Sequence, residues 1–566
     1  MPFRRRLFTH VAVIAIALPW IASAQVIPAP AEPQVGSSNP VSPEPNVPRP
    51  STTPCTVTLF SNFAFSDFSN LPLTFAPPTG CAAPWSRVVL TVDFTAPPNV
   101  LYDRTATIFL GGANLFFGTT AAPLSNFRAS WHVERDLTDY SVIFTKPQTG
   151  NAALNNLTFA TAQAVIYGTA KLLFYPANEA NPAPVVPSQV LSLSGNTTYS
   201  LNDVTDRYDA TFTLPRNIAR AYLDVISQGR DNNELWFLCV PPAATLNFAA
   251  CGYTAFRESD VYIDAIPAGV APVFPWIYTG NTGQGSTDPY LWQPIVGIET
   301  LNFKPYRVNL TPFAGLLSDG NPHSVDVSVF NSDHGFSGAA NLLLYTDPGT
   351  PVITGGLTQD TLSYYPSPSN EIYVGTAADG EPAGQVSVES FRAWQISGYV
   401  VTAKGRTDTT LTATNSFKNL QSLSFGKQNV NQEADQQETT TEVGPGGTVQ
   451  TIHSIRFPLV YDDMFIANDS NVPGFYQSFY VHQQKIEQSQ TITNGNASLP
   501  SLTDETVENS DVAHLDANEN VVSREAISRS TFGERDANDI CFYRQLTAQN
   551  LKLTQVNDST NCSAVQ

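Results

Sequence analysis

Charged side chains are scarce in this 566-residue chain, at 14% of the total, so its solubility rests on Ser, Thr, Asn and Gln. That composition suits strands and loops better than helices. Helical punctuation is missing too, since no capped amphipathic run exceeds about three turns. No G-x-x-x-x-G-K-[ST], H-E-x-x-H or EF-hand loop occurs, and "GFSGA" at Gly335 lacks the last glycine of a serine-hydrolase elbow. The seven histidines are scattered with no pair at metal-ligand spacing, and there is no C-x-x-C. These absences exclude the common NTPase, zinc-protease and serine-hydrolase engines, and neither cofactor nor metal is expected.

Basic charge is also short. Lys and Arg number 29 against 49 Asp and Glu, a formal net charge of -20, which argues against nucleic acid or an anionic membrane as partner. Past the N-terminus no run of about 18 apolar residues occurs, so the mature form should cross no membrane. The N-terminus itself reads as a signal peptide over residues 1–24: "MPFRRRLF" is a basic n-region, "VAVIAIALPWI" an apolar h-region, and Ala22-Ser23-Ala24 a cleavage site. The expected location is secreted or periplasmic.

Six cysteines in an exported chain point to disulfides rather than metal ligands. Among the connectivities they allow, spacing favours Cys55 with Cys81, Cys239 with Cys251, and Cys541 with Cys562. Residues 25–54 are proline-dense and read as an extended or disordered linker. From Cys55 onward, period-2 segments such as "RVVLTVDF", "RTATIFL", "DVYIDAI" and "HSVDVSVF" alternate with Gly, Pro, Asn and Asp clusters. The expected fold is all-β: two adjacent jelly-roll antiparallel sandwiches over 55–198 and 199–349, then a C-terminal mostly-β region over 350–566. In that last region "QETTTEVGPGGTVQTIHSIRF" suggests long solvated hairpins with a turn at Gly444, Gly446 and Gly447.

Two acids stand at strand entrances. Asp103 precedes "TATIFL", where Ala106, Ile108 and Leu110 should face the core and Asp103 shares the other parity with Thr105 and Thr107. Glu234 sits at the mouth of "NNELWFLC", which reads as an apolar strand. Two sandwiches side by side could bring both acids to their interface and tune them apart as acid and base. The alternative for each is a solvated acid or turn cap. His132 in "SWHVERD" is either structural or catalytic, with the structural role more common. The Gly/Pro-rich loop with Trp276, Tyr278, Tyr290 and Trp292 either packs as a satellite core or offers flat faces to a sugar ring. Seven N-x-[ST] sequons are present, no more than chance could supply in an Asn/Thr-rich chain.

The ordered segments "QGRDNNELWFLCVP", "FRESDVYIDAIPAG", "FPWIYTG", "PYLWQPI" and "YRVNLTPFAGLLSDG", with the C-terminal "CFYRQLTAQNLKL", resemble the acid-active, almond-type peptide-N-glycosidase A family, and more faintly the flavobacterial peptide-N-glycosidase. The resemblance implies hydrolysis of the amide joining the asparagine side chain to the innermost N-acetylglucosamine of N-linked glycans, on glycopeptides or glycoproteins. It implies catalytic roles for Asp103, Arg104 and Glu234, with Asn233, Trp236, Arg257, Glu258, Trp276, Tyr278 and Trp292 as substrate-binding candidates. A third acid of the flavobacterial enzyme has no counterpart in "NLTFATAQAVIYGTAKLLFY"; its role is absent or falls to Glu134 or Glu258. A glycan-binding protein without activity, or a glycoside hydrolase using the two acids as a pair, are the competing readings.

Overall fold

In a computed structural model the described residues are 32–98, 103–122, 127–156, 165–248, 250–277, 290, 292–333, 335–378, 380–467 and 473–565. Residues 1–24, read above as a signal peptide, and Tyr278 lie outside them. All five sheets are antiparallel, and 59% of the chain is strand.

The first unit is a sandwich of two four-stranded sheets. One runs Cys55–Phe65, Ile166–Pro176, Trp85–Ala96, Ala129–Asp136; the other Leu71–Phe75, Gln148–Leu154, Thr105–Leu110, Ala113–Thr119. Alternation decides which residues fill it: Val88, Leu90, Val92 and Phe94 meet Ala106, Ile108 and Leu110 in one core. The parity expected for the strand after Asp103 is the one observed.

A second sandwich follows. Its first sheet holds Tyr199–Leu201, Phe336–Thr346, Ile218–Gly229 and Tyr306–Asn309, with Gln189–Ser192 on the edge of Phe336–Thr346. Its second holds Tyr208–Thr213, Pro322–Val329, Glu258–Ile263 and Ile266–Pro272. The Gln189–Ser192 strand precedes residue 199, so pairing to this unit begins earlier in the chain than the turn pattern suggests.

The C-terminal region forms one 12-stranded sheet running from Thr354–Asp360 to Lys552–Ser559. The turn at Gly444 and Gly447 is present, as these residues pair across a hairpin. The expectation of solvated hairpins is corrected, because one face packs on the second sandwich in a shared core. Gln428, Gln432, Gln436 and Gln483 on that face are buried. They are tolerated there because their amides find partners: Gln436 Nε2 donates to Val270 O at 3.2 Å and Gln483 Nε2 to Pro275 O at 2.6 Å.

The proline-dense segment is extended but not a free linker. Gly36 N donates to Leu553 O at 2.7 Å, Val41 forms a parallel bridge with Ile295, and Val47 N donates to Glu134 Oε2 at 2.8 Å. It therefore touches all three units. Its prolines leave few backbone donors, and those remaining are divided between contacts to the folded body and local turns such as Asn39 N to Ser37 Oγ at 3.0 Å and Glu44 N to Ser42 Oγ at 3.2 Å.

The three disulfides join Cys55 to Cys81, Cys239 to Cys251, and Cys541 to Cys562.

Candidate active site

The segment "NNELWFLC" is not a strand. Two 3-10 turns, Asp231–Asn233 and Trp236–Leu238, carry it away from the end of Ile218–Gly229. Asp231 begins the departure with φ of 50°, in the left-handed region. Gly229 is required just before it, since a Cβ there would collide with Asn233 O. The Cys239–Cys251 bridge closes the far side. A short apolar run buried all round carries no parity, which is why the pattern alone suggested a strand.

This loop is held from two directions. Buried Arg257 donates from Nε and Nη2 to Asn233 Oδ1, at 3.1 and 2.7 Å, and from Nη1 to the carbonyls of Tyr253, Thr254 and Phe256. Asn233 Nδ2 in turn donates to Asp333 O. From the C-terminal sheet, Asn419 Nδ2 reaches Phe237 O at 3.0 Å and Gln421 Nε2 reaches Cys239 O at 2.9 Å. Both amides are fully buried. Glu234 thus belongs to a turn whose flanks are fixed by charge-assisted and amide hydrogen bonds.

Asp103 lies across the seam between the sandwiches. Arg104 N donates to Thr120 Oγ1 at 3.0 Å and Thr120 N to Arg104 O at 2.9 Å, which sets the strand entrance. Two residues on, the hydroxyl of Thr105 and the side-chain amide of Gln228 exchange hydrogen bonds at 3.2 and 3.3 Å. Ser337 Oγ also donates to Gln228 Oε1 at 3.3 Å. The seam therefore joins the residue just past Asp103 to the strand end from which the Glu234 turn departs. A polar cleft of about 80 Å³ opens along it, lined by Thr105, Thr107, Asn155, Arg230 and Ser337. The carboxyl of half-buried Asp103 is pushed up to about 6, chiefly by burial, while its own backbone N–H and Arg104 pull the other way.

The expected glycan-binding residues are mostly interior. Trp236, Trp276 and Trp292 are buried, with Trp236 near Phe417 and Trp276 tilted against Phe303 at 4.3 Å. All three belong to the core shared by the second sandwich and the C-terminal sheet, with Trp276 also bordering an internal cavity, which argues against stacking of a glycan on an exposed ring. Glu258 is also fully buried. It pairs with Arg392 and accepts from Asn415 Nδ2 at 2.8 Å, while Arg392 Nη1 also reaches Asp260 Oδ1 at 2.9 Å. Burial, then the adjacent Asp260 charge, pushes Glu258 up; burial raises Asp260; Arg392 opposes both.

Glu134 and His132 sit elsewhere. His132 Nδ1 bonds Asp93 at 2.7 Å and Nε2 bonds Glu134 at 3.0 Å, while Arg49 of the N-terminal strap pairs with Glu134. Burial disfavours the imidazolium, but the two carboxylates outweigh it and push His132 up to about 9. Its place is structural, clamping the strap.

Sequence reasoning missed Arg230 and Ser337, which line the cleft, and Gln228, which bonds Thr105 and Ser337 beside it. Gln228 and Arg230 stand inside "QGRDNNELWFLC", and the alternation of Ile218–Gly229 was the signal that separates Gln228 from the inward Val225 and Ser227. A larger cavity of about 460 Å³ lies between the second sandwich and the C-terminal sheet. The cleft, though smaller, is the better candidate for chemistry, because it is lined by Thr105, two residues past Asp103, and by Arg230, four residues before Glu234, while Glu299 and Glu487 in the cavity wall are spent in ion pairs with Lys485 and His453.

Residues 40–344, more than half the chain, match the family model described as peptide N-acetyl-beta-D-glucosaminyl asparaginase amidase A. The peptide-N4-(N-acetyl-beta-glucosaminyl)asparagine amidase A of Prunus dulcis is 29% identical over 335 residues, which cover 55% of this chain and 57% of that protein. The chain thus matches little more than half the length of this relative. Among solved structures, PNGF-II gives a TM-score of 0.35 at 14% identity, covering 52% of this chain and 65% of that one. PNGase F, a glycosylasparaginase from Flavobacterium meningosepticum, gives 0.34 at 13%, covering 52% and 96%.

Proposed function

The chain belongs to the peptide N-acetyl-beta-D-glucosaminyl asparaginase amidase A family, and on that premise we propose that it hydrolyses the amide between an asparagine side chain and the innermost N-acetylglucosamine of N-linked glycans. The observation that carries this reading is the Thr105–Gln228 contact, which draws the Asp103 entrance and the Glu234 turn to one polar seam. Water adds to the side-chain carbonyl carbon and the C–N bond breaks. The nitrogen leaves protonated as a glycosylamine, which later loses ammonia, and the peptide keeps an aspartate.

An amide nitrogen is a poor leaving group, so the demanding requirement is a proton delivered to it while water is held at the carbonyl. Asp103 supplies the proton, and its carboxyl, pushed up to about 6, is protonated in acid. Glu234 orients the water. Arg104 stabilises negative charge on the tetrahedral oxygen or holds a carboxylate in place. Substrates are N-glycosylated peptides or proteins, and the protein is exported.

Incubation with a defined glycopeptide across pH, with product masses recorded, tests this. The expected result is free glycan and a peptide carrying the mass change of Asn to Asp, fastest below about pH 6 and falling above it as Asp103 ionises. A peptide that keeps one sugar would identify a glycoside hydrolase. An unaltered peptide would leave a binding protein.

A further inference from the structure

The 460 Å³ cavity borders the same Ile218–Gly229 strand but shares no lining residue with the cleft: the strand gives it Arg220, Tyr222, Val225 and Ser227, whereas the cleft takes Arg230, just past the strand's end, and Ser337. Its remaining wall comes from the C-terminal sheet, through Glu438, His453, Phe457 and Glu487 among others. The mouth is near Arg220, whose side chain is 54% exposed. Volume and position at the junction of two units suit a small-molecule site.

The charges of the wall cancel. His453 pairs with Glu487 at 3.0 Å, Lys485 with Glu299 at 2.7 Å, and Arg220 with Glu442 at 3.5 Å. Arg307 is committed to Asp224 at 2.7 Å and Lys304 to Glu44 at 2.7 Å. No cation named here is left for an anionic ligand, and the paired carboxylates do not attract a cationic one. Two features are not consumed by ion pairs. Glu438 accepts from Thr440 Oγ1 at 3.3 Å and is raised by burial, with His453 pulling the other way. Trp276 lines the cavity with a buried indole N–H that has no hydrogen-bond partner among the described residues. Around them stand Phe274, Phe457 and Tyr306. Aromatic and aliphatic walls with a few uncharged donors and acceptors match a ring whose edges are hydroxylated and whose faces are apolar.

We propose that this cavity binds a neutral saccharide of one or two rings, at a site separate from the hydrolytic cleft. The proposal does not depend on the amidase reading.

The probe is cellobiose, titrated by calorimetry against the full chain, with glucuronate and glucosamine as charged controls. Glu438→Gln keeps the shape and removes a carboxylate, and Trp276→Phe removes the indole N–H. Each is expected to weaken cellobiose about tenfold, the loss of one charged or otherwise orphaned hydrogen bond, with glycopeptide turnover unchanged, and Glu438→Gln should not lower the unfolding midpoint, which separates its effect from the packing loss in Trp276→Phe. Asp103→Asn should leave cellobiose binding intact. The inference is overturned if cellobiose fails to bind at millimolar concentration, if a charged control binds more tightly, or if Asp103→Asn abolishes binding while Glu438→Gln does not.

Discussion

The second sandwich has two neighbours and meets them with opposite chemistry. Toward the first sandwich the contacts near the cleft are hydroxyls and amides, Thr105 with Gln228, which Ser337 also holds, backed by Asn114 and Asn341 bonded at 3.2 Å. Toward the C-terminal sheet it shares a continuous apolar core in which amides grip main-chain carbonyls and an Arg392, Glu258 and Asp260 cluster is sealed from water. A hydrophilic seam can admit a sugar and a water along its length; a continuous apolar core cannot, and on that side the room for a ligand is confined to the cavity lined by Glu438 and Trp276. The sealed side instead fixes the loop that the open side uses, because Asn419 and Gln421 hold Phe237 O and Cys239 O a few residues beyond Glu234.

The sharpest way to break this comparison is Asp103→Asn, expected to lower turnover by about 10² to 10⁴-fold through loss of general acid catalysis, with folding unchanged. Near wild-type turnover on a glycopeptide would remove the open seam from the chemistry. On the sealed side, Arg392→Met should destabilise by about 3–5 kcal/mol, since it strands two buried carboxylates. Adding Glu258→Gln and Asp260→Asn should restore much of that in a denaturant titration. Smaller still is Gln421→Leu, expected to cost about 1–3 kcal/mol for the carbonyl it leaves unpaired and to lower kcat more than it raises KM. An unchanged kcat would mean the sheet does not position the loop.

The pH dependence sharpens the contrast further. Glu258 and Asp260 are both raised in the folded state, so their stabilising contribution is complete below their unfolded values and declines as pH rises through the folded ones. The unfolding midpoint should fall from acid toward alkaline pH, and the slope should flatten in Glu258→Gln with Asp260→Asn. A midpoint that climbs over that range would contradict the assignment.

Legibility followed the physics of each segment. In "DRTATIF" apolar Ala106 and Ile108 alternate with polar Thr105 and Thr107, so alternation alone assigned Ala106, Ile108 and Leu110 to the core and set Asp103 on the opposite parity. In "NNELWFLC" every apolar side chain is buried, no parity survives, and the turn was hidden. The Gln and Thr alternation of the C-terminal strands looked solvated because the carbonyls that satisfy it, on Phe237, Cys239, Val270 and Pro275, are more than 150 residues away in sequence. The disulfides were legible from spacing, and the burial of Trp236, Trp276 and Trp292 was not, since that depends on a sheet the loop pattern says nothing about.

The N-terminal strap imposes an order on biosynthesis. Gly36 and Ser37 exchange backbone hydrogen bonds with Leu553, so this early segment completes its pairing only after a strand more than 500 residues further on has been made. Fastening of the strap therefore waits on the strand Lys552–Ser559, and a nascent chain halted before it would carry the strap unfastened.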